Sequence, residues 1–273
     1  MANEAGMNRV LITGAAGRIG KVLREGLSGR YNLLRLSDIA PLGEAGPGEE
    51  VVTADICDMA ATEESVKGID CVVHLAGIPE EDTWEKIHPM NLVGAYNVFE
   101  AARRQGVKRV VFASSNHAVG YHRVDKIIDS EVQPRPDSRY GVSKVYGEAL
   151  GRLYADKYGM SVSCMRIGSF QERPRDIRQL ATWISFPDMV HLAERCIEAP
   201  DYHFAVAYGV SNNTRNKWDN SKVAFLGYKP KDDAERFVEE LMNAGEVQDD
   251  VAKQFHGGPF CKMEFTGTTE NID

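Results

Sequence analysis

Val10-Leu11-Ile12-Thr13-Gly14-Ala15-Ala16-Gly17-Arg18-Ile19-Gly20 is the stretch whose reading decides the fold. An apolar, strand-like run empties into a turn with glycines at every third position, and a helical pattern follows over residues 19–27. Gly14 permits the tight turn, Gly17 lets the backbone approach a pyrophosphate, and Gly20 lets the helix lie close to the sheet. The helix N-terminus adds free N–H groups and the positive end of its dipole, both suited to phosphate. Arg18 and Ile19 belong to the same turn and are counted among the cofactor contacts. A second apolar run, residues 31–36, leads to Asp38. A carboxylate there can accept both hydroxyls of an adenosine ribose and repels a 2′-phosphate, which predicts NAD rather than NADP. Ile39 brings no cation to welcome a phosphate, and Arg18 is the one residue that complicates this reading.

Outward from this turn, strand-like runs at residues 10–13, 32–37, 50–54, 71–75, 109–113 and 162–167 alternate with helix-like stretches at 19–27, 62–67, 84–104 and 140–158. Such alternation predicts βαβ units, hence an α/β fold: a doubly wound, parallel Rossmann sheet with helices on both faces. Past residue 168 the pattern loosens. Residues 172–178 read as a polar loop over the site, 186–198 as a helix and 204–209 as a strand. Residues 211–217 read as a loop, 219–226 and 234–242 as helices, and 257–273 as a tail. With no internal repeat, the expectation is one domain over residues 1–273. Its core spans about 8–170, and a small C-terminal substrate-binding lobe spans about 171–273.

Composition narrows the partners. The 273 residues are 43% apolar and 26% charged, with net charge −8, which argues against a nucleic-acid or anionic-membrane surface. No apolar run approaches the ~20 residues of a membrane span. Residues 1–8 lack the apolar centre of a signal peptide, and Met7 is an alternative start that would leave residues 1–6 as a disordered extension. The five cysteines are odd in number and have no C-x-x-C spacing, so reduced thiols in the cytoplasm are expected, with Cys71 and Cys164 buried in strands. The histidines show no metal-ligand spacing, and no metal is expected.

The Gly-x-x-Gly-x-x-Gly spacing after Thr13 resembles the extended branch of the short-chain dehydrogenase/reductase superfamily. That resemblance implies a downstream Tyr-x-x-x-Lys pair preceded by a serine at a strand end, and the chain carries Tyr140, Lys144 and Ser115. Tyrosine, with a free pKa of about 10, is a poor base at neutral pH. Four residues apart on a helix, Tyr140 and Lys144 share a face, and the ammonium is expected to lower the tyrosine's pKa. Ser115 would orient the substrate oxygen, and Lys144 would also reach the nicotinamide ribose. By the same resemblance Asp55 and Ile56 hold the adenine, and Leu75, Ala76, Gly77 and Ile78 let the cofactor pass close to the backbone. His74 and Asn91 are read as structural, and the alternative for Asp55 is a helix N-cap.

The substrate is indicated by Ser114-Ser115-Asn116-His117, a polar strand end suited to sugar hydroxyls, and by the arginines at 173, 175 and 178, of which one could clamp a carboxylate. Phe112-Ala113-Ser114-Ser115-Asn116-His117, Arg166-Ile167-Gly168-Ser169, Thr182-Trp183, Trp218-Asp219-Asn220-Ser221 and the run 225–232 closely resemble bacterial NAD-dependent uronate dehydrogenases. The resemblance implies substrate contacts at Ser115, Asn116, His117, Tyr140, Ser169 and Arg178, a homo-oligomer of two or more copies, and oxidation of a cyclic hexuronic acid, glucuronate or galacturonate, at its anomeric carbon to an aldarolactone. No cysteine nucleophile is needed for that chemistry. Pro79 replaces a serine that such enzymes can use on the substrate. Two other readings stay open: a nucleotide-sugar epimerase or dehydratase of the same fold, and an NAD-sensing protein without catalysis.

Overall fold

The protein's structure, a computed structural model, describes residues 6–243 and 249–272. Seven parallel strands form the central sheet: β1 (Arg9–Thr13), β2 (Leu33–Asp38), β3 (Glu49–Thr53), β4 (Cys71–His74), β5 (Arg109–Ser115), β6 (Ser161–Ile167) and β9 (Phe204–Gly209), in the order β3-β2-β1-β4-β5-β6-β9. Two short strands, β7 (Ser169–Phe170) and β8 (Trp183–Ile184), pair separately. The chain winds outward from β1 through β2 to β3, then crosses back to β4 on β1's other side. That reversal opens a crevice at the carboxyl ends of β1 and β4, the place where α/β sheets of this kind bind ligands.

The helices are α1 (Arg18–Leu27), α2 (Met59–Ser65), α3 (Trp84–Ile87), α4 (Gly94–Arg104), α5 (Arg139–Tyr158), α6 (Gln179–Thr182), α7 (Phe186–Glu198), α8 (Val238–Asn243) and α9 (Pro259–Lys262). Strand alternation assigns the two sheet faces. Val10 and Ile12 pack with Leu23 and Leu27 of α1 and Met189 and Leu192 of α7. Leu11, pointing the other way, packs with Val98 and Phe99 of α4 and Leu150 and Tyr154 of α5. Both faces are covered, so β4, β5 and β6 are buried end to end. Cys71 and Cys164 are buried in β4 and β6, and all five cysteines are free thiols.

Several elements differ from the sequence expectation. Helix α2 starts at Met59 rather than 62 because the Asp58 carboxylate caps it, accepting from Ala60 N (2.8 Å) and Ala61 N. The expected single helix at 84–104 contains a π-helical segment, His88–Val93, beginning beside Pro89, which has no N–H to give the ladder. Residues 221–226 form a 3₁₀ segment broken at Val223. The main sheet reaches past residue 170, since β9 joins it beside β6. Residues 257–273 are more than a tail: α9 lies there, Cys261 is fully buried, and Gly257, Pro259 and Phe260 line the central cavity. Residues 1–5, most of the expected N-terminal extension, lie outside the described residues. Among the described residues no helix is long and apolar enough to cross a membrane.

Candidate active site

A cavity of about 630 Å³ opens at the carboxyl ends of the strands, lined by every residue that the family resemblance assigns to the cofactor or the substrate. Gly14 has φ +72°, and a Cβ there would lie 2.6 Å from Ala76 N, so the glycine turn is packed directly on the exit of β4. A Cβ on Gly20 would meet Gly14 O at 2.5 Å. Gly17 is the N-cap of α1 with no side chain to cap the helix, and its first turn carries no acid. The orphan N–H groups are left for an anion.

Asp38 ends β2 beside this turn, its two oxygens accepting from Ala16 N and Ala40 N, each at 2.9 Å. These bonds fix the carboxylate's direction at the adenosine end of the cleft. Asp55 accepts from Cys57 N at 2.8 Å in a local turn while Asp58 takes the cap, and Ile56 is buried next to it. On the opposite wall Asn91 pins Ile78, accepting from Ile78 N (2.7 Å) and donating to Ile78 O and Ser143 Oγ. Arg18 reaches across the cleft to donate to Phe170 O at 3.4 Å. The buried His74 stacks no chemistry on the cleft; its Nδ1 pairs with Thr13 Oγ1 at 2.8 Å.

At the other end of the cavity α5 brings Tyr140 and Lys144 beneath the end of β5, where Ser115 lies; all three are buried. The start of α5 is held by Ser138 Oγ, accepting from Gly141 N (3.0 Å), and by Glu81, accepting from Tyr140 N (2.8 Å). Burial pushes the Tyr140 hydroxyl up to about 12, against a smaller downward pull from its hydrogen bond with Ser115. This reverses the expected lowering by Lys144. The reason is geometric and dielectric: the ammonium donates to Ala113 O at 2.8 Å, and the dry surroundings disfavour charge on both groups, bringing Lys144 down to about 8.

The polar end of β5 continues into a 3₁₀ turn, Asn116–Val119, which carries Asn116 and His117 into the cavity. Asn116, with its amide oriented to satisfy both ends, donates to Ile167 O (3.1 Å) and accepts from Arg178 Nη2 (3.0 Å). Arg178 also donates through Nε to His256 O at 3.0 Å. Of the three loop arginines only Arg178 lines the cavity; Arg173 pairs with Glu240 on the surface, and Arg175 is exposed. Ser169 shares a hydrogen bond of 2.9 Å with Thr182 Oγ1. Behind the site Ser114 donates to Glu148, which is paired with Arg166 at 2.8 Å in the interior.

Sequence reasoning missed Glu81, Asp137, Gly257 and Phe260. Phe260 stacks on His117 with ring centroids 3.8 Å apart, and Asp137 Oδ2 lies at hydrogen-bond distance, 2.7 Å, from His117 Nδ1. Phe260 lies about 120 positions from its partner Tyr140, and nothing local in the chain signals that juxtaposition. The Asp137-Ser138 pair just before the Tyr-x-x-x-Lys helix was a usable cap signal.

Residues 10–171 match the NAD dependent epimerase/dehydratase family. The chain is 46% identical over 256 residues to the uronate dehydrogenase of Pseudomonas putida, covering 93% of this chain and 96% of that protein. The chain belongs to the NAD dependent epimerase/dehydratase family, in its uronate dehydrogenase branch. Among solved structures of family members, a mutant uronate dehydrogenase from Agrobacterium tumefaciens complexed with NAD superposes with a TM-score of 0.90 at 44% identity, covering 94% of this chain and 98% of that one. The glucuronic acid dehydrogenase of Chromohalobacter salexigens gives 0.91 at 44%, covering 97% and 99%.

Proposed function

We propose that this family member oxidises cyclic hexuronates at the anomeric carbon to aldarolactones, with NAD as the acceptor. The observation that carries the reading is Arg178, a half-buried guanidinium lining the same cavity as Tyr140 and Ser115, held in place by Asn116 and the His256 carbonyl. A neutral sugar offers such a cation no opposite charge, whereas a carboxylate does. The Pseudomonas putida and Chromohalobacter salexigens relatives, which match 93% and 97% of this chain, carry uronate or glucuronic acid in their names.

The residues present fit NAD: the uncapped start of α1 suits the pyrophosphate, and Asp38 suits the ribose hydroxyls. When bound, NAD supplies the hydride acceptor. Ser115 orients the anomeric hydroxyl against Tyr140, which takes its proton. Burial holds the Tyr140 hydroxyl up, so proton transfer to it calls for a positive charge close by, and the Lys144 ammonium 5.3 Å from its ring centroid is the group placed to supply one. Asn116, His117 and Ser169 hold the remaining hydroxyls.

We further propose one folding unit, a cytoplasmic location and a homo-oligomer. Trp84 and Tyr96 on the α3–α4 arm and Val142, Leu153 and Tyr158 on α5 are exposed apolar residues suited to pairing these helices with a second copy.

Absorbance of NADH, followed over hexuronates, neutral hexoses and nucleotide sugars, tests the reading. Uronate-dependent NADH release supports it. Turnover of nucleotide sugars without net NADH would instead favour the epimerase or dehydratase chemistry found elsewhere in the family. Tyr140→Phe is expected to lower the uronate rate by about 10²–10⁴ while NAD still binds.

A further inference from the structure

His117 lies against a buried carboxylate that the reaction described above does not use. The side chain of Asp137 is wholly shielded from solvent, and its Oδ2 is 2.7 Å from His117 Nδ1. Its other oxygen accepts from Ser138 Oγ at 2.8 Å, and Cys261 Sγ lies 3.8 Å from Oδ2. Arg178 is near enough to interact with its charge.

The surroundings are shaped for this pair. Cβ atoms on Gly120 and Gly257 would lie 1.9 and 1.8 Å from Asp137 Oδ2, and one on Gly141 would lie 2.4 Å from His117 O. Asp137 N donates to His117 O at 3.3 Å, closing the pair through the backbone as well. Phe260 covers one face of the imidazole, and Tyr140 meets it edge-on with centroids 5.8 Å apart. The ring is thus held between Asp137, Phe260 and Tyr140. Its far nitrogen, Nε2, has no hydrogen-bond partner among the described residues, although His117 lines the cavity.

We infer that Asp137 is a positioning residue for the substrate: it keeps the imidazole proton on Nδ1, so that Nε2 offers a lone pair to a sugar hydroxyl next to the one Tyr140 deprotonates. A carboxylate is an acceptor only, so the nitrogen facing it must carry the proton, which leaves the other as acceptor in the neutral ring. Tyr140 and His117 are ring neighbours that line the same cavity, within reach of a single sugar ring. This inference rests on the uronate reading of the site.

Two measurements test it. The ¹⁵N shifts of His117 in the unliganded wild-type protein, assigned by their loss in His117→Gln, report the tautomer at neutral pH. The expected result is a protonated Nδ1 and a free Nε2. The opposite tautomer overturns the inference whatever the substrate proves to be. Asp137→Asn is then compared with wild type for glucuronate oxidation. Its amide can donate to Nδ1 and so drives the proton to Nε2. We expect kcat/KM to fall about tenfold or more, NAD affinity to stay level, and no further loss when the change is added to His117→Gln. An equal loss in both backgrounds would mark Asp137 as structural only and sink the inference. If the wild-type protein oxidises no hexuronate, the functional reading fails, and the tautomer still decides whether Asp137 sets the ring.

Discussion

Arg178 answers to two masters, which sharpens what its replacement does. The guanidinium is bound to the His256 carbonyl and to Asn116, and burial lowers its pKa without bringing deprotonation into reach. Arg178→Ala is expected to raise the Michaelis constant for uronates by about tenfold or more, about 1.4 kcal/mol per decade, and also to loosen the 256–260 segment. Arg178→Lys should restore charge but not the planar fork, recovering only part of the affinity. Steady-state kinetics read both; normal uronate binding in the alanine variant would remove the carboxylate clamp. At the other end of the cleft, Asp38→Ala frees two backbone donors and removes the anionic barrier. It should weaken NAD and narrow the NAD/NADP preference. An unchanged ratio would move selectivity to Arg18, which already spans the cleft.

At the scale of elements, α5 is the part whose placement matters most, and glycine sets it. A Cβ on Gly147 would come 2.1 Å from Phe112 Cζ, so the helix rests on β5 at a distance no larger residue permits. Gly147→Ala should destabilise the protein by about 1–3 kcal/mol through overpacking, seen as an earlier urea midpoint. An unchanged midpoint would mean that the ring of Phe112 yields freely.

Local patterns made most of these elements legible. The glycine turn, Asp38 and the Tyr140–Lys144 spacing each lie within a few residues, and period and turn chemistry report on that range. The π-helical step at Asn91 and the partners of His117 were not legible. The first is a tertiary choice that satisfies Ile78, and the second joins residues 117, 137 and 260 across the fold. The rise of the tyrosine's pKa is not legible either, for a related reason. Spacing told of a nearby ammonium, but not of the burial that outweighs it.

For the whole molecule, two buried histidines contribute to acid sensitivity. His74, hydrogen-bonded to Thr13, is brought down to about 3 by burial, and His256, accepting from Trp218 Nε1 at 3.1 Å, to about 4. Both are depressed below their unfolded value of about 6.5. The unfolded chain therefore binds more protons, so stability is full above about pH 6.5 and is lost as pH falls toward the folded values. Each proton costs up to about 1.4 kcal/mol per pH unit in that window. Calorimetry from pH 7 to 4 should show a falling Tm, and His74→Gln, which keeps an acceptor for Thr13 but cannot titrate, should flatten the fall. An equal slope in that variant would place the acid sensitivity elsewhere.

The wall that holds Arg178 and covers His117 comes from residues 256–260, while the glycine turn comes from residues 14–20. A chain made from its N-terminus onward can close its nucleotide crevice while the ribosome is still at work, since β1 to β4 and α1 are already out. The sugar pocket has no such head start. It is complete only once almost the entire polypeptide has emerged, so a prematurely terminated product would carry Ser115, Asn116 and His117 without the wall that holds Arg178 and covers the imidazole.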